Sequence, residues 1–163
     1  MMRVAVTDGM AKEAVKKLEN AGCDVIQEFI EHNDLVNGAL AEFDAVIVRS
    51  ATKLSEEMMQ ASLPRLKVIA RAGVGVDNID VDAASKLGLP VVNAPRASTQ
   101  SVVELTIGHL LGSLRFIPRA DRSLRSGQWA KKELKGTELF GKRLGLIGFG
   151  RIAQGVAKVA QAF

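Results

Sequence analysis

There is one cysteine in this chain of 163 residues, and no tyrosine, one tryptophan and two histidines. A lone Cys23 rules out an intrachain disulfide and a zinc site of cysteines, so the cytoplasm is the expected compartment and no metal site is expected. With aromatics at 4%, the core must be built from Val, Leu, Ile and Ala. A nucleic-acid surface of interleaved basic and aromatic residues has little to draw on. No apolar run reaches the roughly 18 residues of a membrane span. The first run, "VAVTDGMA", meets Asp8 after four residues, too soon for the core of a signal peptide. Neither nucleic acid nor membrane is an expected partner.

What remains is the composition of an ordinary globular protein, 47% hydrophobic and 25% charged, in a chain long enough for one domain or slightly more. Its charge is uneven. Between Arg115 and Arg151 ten Lys/Arg stand against Asp121, Glu133 and Glu138, an excess of seven positive charges in a chain of net charge +4. Arg115, Arg119 and Arg122 fall at helical spacing and are expected on one helix face. A solvated face, an anionic ligand and a partner's acidic surface all fit that pattern.

Strand-like and helix-like runs alternate from the first residue. "RVAVTD", "DVIQE", "AVIVRS", "LKVIARAG" and "PVVNAP" read as strands. Between them lie helical patterns: "AKEAVKKLENAG" ending at Gly22, "NDLVNGAL", "SEEMMQAS" with Ser55 as N-cap, and Val81 to Leu87 ending at Gly88. Five strands with four helices between them imply a parallel α/β sheet covered on both faces. After Pro95 the rhythm changes. The segment from Ser98 holds a helix apolar enough to pack between two layers, with Glu104 near its start and a break or kink at Pro118. Then "SGQW" forms a turn and "KRLGLIGFG" opens a new strand-and-turn unit. A boundary is expected near Ala97, giving units 1–97 and 98–163.

Three places carry chemistry. Gly148-x-Gly150-x-x-Ala153 follows an apolar run read as a buried strand and precedes a helical pattern, the arrangement that points free amides and a positive helix end at a pyrophosphate. "VRSAT" sets Arg49 and Ser50 after the third strand. "ARAGVGVDNID" sets Arg71 ahead of Gly73 and Gly75, whose amides suit a nest for a carboxylate. Both loops fall at the carboxyl ends of strands, where ligands of open parallel sheets collect. The alternative is a pair of ordinary connections with surface arginines. His109 sits mid-helix among Ile107, Leu110 and Leu111 and reads as a packing residue, and Cys23 as a small core thiol.

The blocks "VIVRSATK", "ARAGVGVDNIDVDAA", "VVNAPRAST" and "GQWAKKELKGTELFGKRLGLIGFGRIA", in this order, resemble the N-terminal half of the D-2-hydroxyacid dehydrogenases over nearly the whole chain. The resemblance implies a flavodoxin-like substrate domain over 1–97, an interdomain helix and dimerisation arm from residue 98, and the first β-α unit of a Rossmann domain. It implies NAD as cofactor, with NADP not excluded, and a small anionic 2-hydroxy acid as substrate. Arg49, Ser50, Arg71 and the loop Ala72, Gly73, Val74, Gly75 would contact the acid. Val74 would also lie near the nicotinamide, and Arg151 and Ile152 near the pyrophosphate with Gly148, Gly150 and Ala153. Residues 98–140 would form a homodimer contact from which Lys131 could reach the neighbour's substrate. The Arg49-Ser50 pair and "GTEL" lean toward a phosphorylated acid. Ser98, Val103 and Ala153 depart from the family pattern, where Asn, Ala and Gly are usual. The catalytic Arg, Glu and His of such enzymes would lie beyond Phe163, so no residue here is assigned as catalyst. The chain alone is expected to be inactive, and a non-catalytic, corepressor-like dimerising protein is the alternative.

Overall fold

The computed structural model describes residues 1–163, which divide into two compact units, Met1–Ala97 and Ser98–Phe163. In the first, β1 (Met2–Val6), β2 (Cys23–Gln27), β3 (Ala45–Val48), β4 (Val68–Arg71) and β5 (Val91–Asn93) form one parallel sheet in the order β2-β1-β3-β4-β5. That order is flavodoxin-like. The pleat sorts side chains by face. Ala5, Val46, Val48 and Ile69 point to one side and pack with Leu35, Leu40, Met58, Met59, Leu66, Ala83 and Ala84 in the main core. These helical residues belong to α2 (His32–Val36), a 3-10 turn (Ala39–Glu42), α3 (Glu56–Ala61) and α4 (Val81–Lys86), apart from Leu66, which leads into β4. Val4, Val6 and Ala45 point to the other side, with Val25, Ile47 and Val68 partly covered around them.

Because crossovers are right-handed, the reversal of direction after β2 puts α1 (Lys12–Asn20) on the face opposite α2, α3 and α4. Within the unit, that second face therefore has one helix where the sequence led us to expect full cover. The caps also differ from expectation. Ser55 occupies the N-cap of α3 without a side-chain bond, whereas Asp80 caps α4 by accepting from the Ala83 amide at 2.9 Å.

The second unit holds α5 (Thr99–Leu114), α6 (Ile117–Arg125), a 3-10 turn (Lys131–Glu133) and α7 (Arg151–Ala160). Val103, Ile107 and Val156 form its small core, with Leu111 against them. So α5 packs on α7 through one stripe and leaves Leu105 exposed, rather than being sandwiched within the unit. Glu104 lies beyond the first turn and accepts from Gln100 Nε2 at 2.7 Å. The α5–α6 break comes before Pro118, at Phe116, whose φ is 54°. Proline has no N–H for the Leu114 carbonyl, and that carbonyl accepts instead from the Thr137 amide at 2.9 Å. The break leaves Arg115 as the cap of α5 while Arg119 and Arg122 ride on α6, so the three arginines do not share one helix. His109 is exposed, because the buried stripe of α5 runs through Val103 and Ile107. No helix is long and apolar enough to cross a membrane.

Candidate functional site

Reversal of strand order between β1 and β3 opens a crevice at the carboxyl ends of the strands, the usual ligand position of such a sheet. Four segments leave this end of the sheet: Thr7–Gly9 after β1, Arg49–Thr52 after β3, Ala72–Asp77 after β4 and Ala94–Arg96 after β5. Their backbones are tied together. Leu54 and Ile79 make an isolated parallel bridge, with the Leu54 amide donating to the Asn78 carbonyl at 2.9 Å and the Asp80 amide to the Leu54 carbonyl at 3.0 Å. Asn93 Nδ2 donates to the Val74 carbonyl at 2.6 Å, and the Ala94 amide to that of Gly73 at 2.9 Å. The turn bearing Arg49 and the glycine loop bearing Val74 are thereby fixed to one frame.

Arg71, the last residue of β4, sends Nε to the Arg49 carbonyl at 3.3 Å and Nη2 to Ser50 Oγ at 3.2 Å. Both acceptors are neutral. Arg49 is exposed and its guanidinium makes no hydrogen bond or ion pair, so two positive charges at adjacent strand ends stand without an acidic partner. Such uncompensated guanidiniums favour a carboxylate or phosphate ligand. A Cβ at Gly73 would meet the Arg71 guanidinium, which would have to move aside. Its amide, however, donates to the Arg71 carbonyl at 2.8 Å. The expected nest is therefore reduced to the amides of Val74 and Gly75, which carry no bond.

The groups behind this turn did not stand out in the sequence. Asp8 accepts from the Arg49 amide at 2.6 Å, the Thr52 amide at 3.1 Å and the Thr52 hydroxyl at 2.6 Å. Burial raises its pKa, and the bonds from the Thr52 hydroxyl and the Thr52 and Arg49 amides help to reverse that, leaving it below the usual carboxylate value. Asn78 Nδ2 donates to the Arg49 and Thr52 carbonyls at 2.8 and 2.6 Å, while its Oδ1 is buried without a partner. An acid in the loop after β1, at the switch point, was the available signal for Asp8. For Asn78 there was none beyond its place in a quoted block.

In the second unit Gly148 has φ +83° and Gly150 is the N-cap of α7. Nothing lies within 4 Å of a Cβ built at either glycine, and the Arg151, Ile152 and Ala153 amides make no hydrogen bond. Turn and helix end suit a pyrophosphate. The preceding run does not form the expected buried strand: Leu144–Ile147 has no ladder partner and lies exposed. A strand is defined by its neighbour, and no other segment of this unit is extended beside it. Lys131 starts the second 3-10 turn, exposed, beside Leu124, Trp129 and Leu134.

The sequence pattern described as "D-isomer specific 2-hydroxyacid dehydrogenase, catalytic domain" matches residues 4–161. A D-3-phosphoglycerate dehydrogenase of Methanocaldococcus jannaschii is 47% identical over 163 residues, all of this chain and 31% of that protein. A hydroxypyruvate reductase of Thermotoga maritima is 49% identical over 162 residues, 99% of this chain and 52% of that protein. The chain thus spans about a third to a half of the length of these relatives. The crystal structure of NAD+-bound 3-phosphoglycerate dehydrogenase from Entamoeba histolytica superposes with a TM-score of 0.75 at 32% identity, over 99% of this chain and 51% of that one.

Proposed function

The chain belongs to the D-isomer specific 2-hydroxyacid dehydrogenase family, and on that premise we propose that the whole protein oxidises the C2 hydroxyl of 3-phosphoglycerate to the 2-oxo acid, using NAD. The observation that carries this reading is the pair of unpaired guanidiniums, Arg49 and Arg71, on adjacent strand ends. They suit a ligand with two anionic groups better than a neutral alcohol.

In this reading Arg49, Ser50, Arg71 and the Ala72–Gly75 loop orient the acid, and Val74, 38% exposed, flanks the nicotinamide. Gly148, Gly150, Arg151, Ile152 and Ala153 hold the pyrophosphate. A bound nicotinamide supplies the hydride acceptor for C2. The hydroxyl proton needs a base, and Asp8 is unsuited because its oxygens already accept three bonds. No residue of the chain is assigned that role. Residues 98–140 form the homodimer contact, placing Lys131 toward the neighbour's substrate.

The Thermotoga relative favours a second substrate, hydroxypyruvate, whose reduction is the same reaction class in reverse and lacks the phosphate. The "GTEL" segment does not help to choose. Its Thr137 amide is bound to the Leu114 carbonyl, and Gly136 abuts the same carbonyl, so its evident work is to hold the helix break. No observation favours the corepressor-like alternative.

The test is turnover of the whole protein with 3-phosphoglycerate and with D-glycerate, under NAD and under NADP, followed by Arg49→Ala and Arg71→Ala. A charge-assisted hydrogen bond contributes about 1.5–3 kcal/mol, so each variant should raise KM for the preferred acid by roughly ten-fold or more. Unchanged KM in both would reject the site, and preference for D-glycerate would transfer the assignment to the second substrate.

A further inference from the structure

Asp8 stands two residues past the end of β1, at the switch point between β1 and β3, and every bond it makes goes to one turn. One oxygen accepts the amides of Arg49 and Thr52, and the other accepts the Thr52 hydroxyl. That hydroxyl lies 2.8 Å from Thr7 Oγ1, which is buried in the same wall. Asn78 Nδ2 completes the arrangement by donating to the carbonyls of Arg49 and Thr52. The two ends of the Arg49–Thr52 turn are thus gripped through amides by Asp8 and through carbonyls by Asn78. The whole assembly lies within the Met1–Ala97 unit.

Where the Asp8 charge is directed matters as much as its presence. A carboxylate close to two arginines would ordinarily pair with a guanidinium and cancel its charge. Here it faces backbone amides, and neither Arg49 nor Arg71 pairs with it. The turn is anchored while both guanidiniums keep their charge for a ligand. Displacing the turn would move Arg49 and Ser50 directly. It would also take from Arg71 the two acceptors, the Arg49 carbonyl and Ser50 Oγ, that aim it.

We propose that Asp8 is a positioning residue for the anionic substrate: through the Arg49–Thr52 turn it sets the geometry of both arginines without touching the acid itself. This rests on the substrate site described under the proposed function. Asp8 acts on binding and leaves the hydride step alone, which distinguishes it from a general support of the fold.

The experiment compares Asp8→Ala and Asp8→Asn in the whole protein. Asp8→Ala should raise KM for the 2-hydroxy acid about ten-fold or more, change kcat less than about three-fold and leave KM for the nicotinamide nucleotide unchanged. It should also speed amide exchange at Arg49 and Thr52 by about ten-fold. Asparagine can accept both amides through Oδ1 and donate to Thr52 Oγ1 through Nδ2, so Asp8→Asn should return KM to within about three-fold of the parent. An unchanged KM for the acid in folded Asp8→Ala overturns the proposal, as does a parallel rise in both KM values. Should Asp8→Ala not fold, Thr52→Val removes only the hydroxyl partner and must show the same split between acid and nucleotide; no split overturns it equally. A wild-type protein that turns over no 2-hydroxy acid would end the functional reading instead. Exchange at Arg49 and Thr52 would then still decide the anchor: faster in Asp8→Ala supports it, and unchanged rates overturn it.

Discussion

Gly155 and Val103 set how closely α7 approaches α5. A Cβ at Gly155 would lie 2.6 Å from Val103 Cγ2, and Val103 is only 1% exposed. In an open helix Gly→Ala gains about 1 kcal/mol from propensity. Against a stiff β-branched side chain in a closed core, overpacking costs about 1–3 kcal/mol and wins. Gly155→Ala should therefore destabilise the protein in urea, and Val103→Ala in the same chain should turn that loss into a gain. The pair also answers the family departure at Val103: the larger side chain sits against a residue with none. Asp8 gives a second residue-scale expectation. Its folded pKa lies below the unfolded value of about 3.9, so its contribution is full above that value and lost as pH falls through the folded one. The stability difference between wild type and Asp8→Asn should stay constant above about pH 5 and shrink toward pH 2. Arg49, Ser50 and Arg71 were legible in the sequence because charged residues at strand ends are visible in a pattern. Asp8, Thr52 and Asn78 were not, because their importance comes from neighbours more than twenty positions away.

At the scale of elements, the α5–α6 break shows how one missing N–H is made good from a distance. Pro118 leaves the Leu114 carbonyl free, and the Lys135–Leu139 segment supplies Thr137 to fill it. Gly136 is what lets that segment come close, since a Cβ would sit 2.5 Å from the same carbonyl and 3.0 Å from Arg115 Cα. Both contacts are backbone and cannot rotate away. Gly136→Ala should lift the segment, speed hydrogen exchange at the Thr137 amide and cost roughly 1–3 kcal/mol, measurable by exchange mass spectrometry and denaturation. The five strands and most helices of the first unit were legible because each carries its own period and its own stop signal. Leu144–Ile147 has the composition of a buried strand and stays unpaired, since strand pairing is a property of two segments and composition reports only one. The break at Phe116 was displaced from Pro118 in the same way, because a proline disturbs the turn before it.

For the molecule as a whole, the second unit carries many of the large apolar side chains left exposed. Trp129 is 78% exposed, Phe140 77% and Phe149 65%, with Leu105, Ile117 and Leu124 each more than half exposed. Lys131, which has no ion-pair partner, lies beside Leu124 and Trp129 in one hollow, so apolar anchors and a positive charge share that patch. All of these side chains but Phe149 fall within residues 98–140, the stretch proposed above for a homodimer contact. Trp129 is the chain's single tryptophan, and its emission therefore reports this surface alone. If two copies meet through residues 98–140, Trp129 emission should lie toward the blue at micromolar concentration and move to the red on dilution, with a midpoint matching the dimer dissociation seen by sedimentation. Leu124→Asp places a charge beside Trp129 in the same hollow and should leave the emission red at every concentration, since burying an unpaired carboxylate costs several kcal/mol. Emission that ignores dilution in the wild type while sedimentation reports a dimer would move the contact away from this arm, and with it the reach of Lys131 toward a neighbour's substrate.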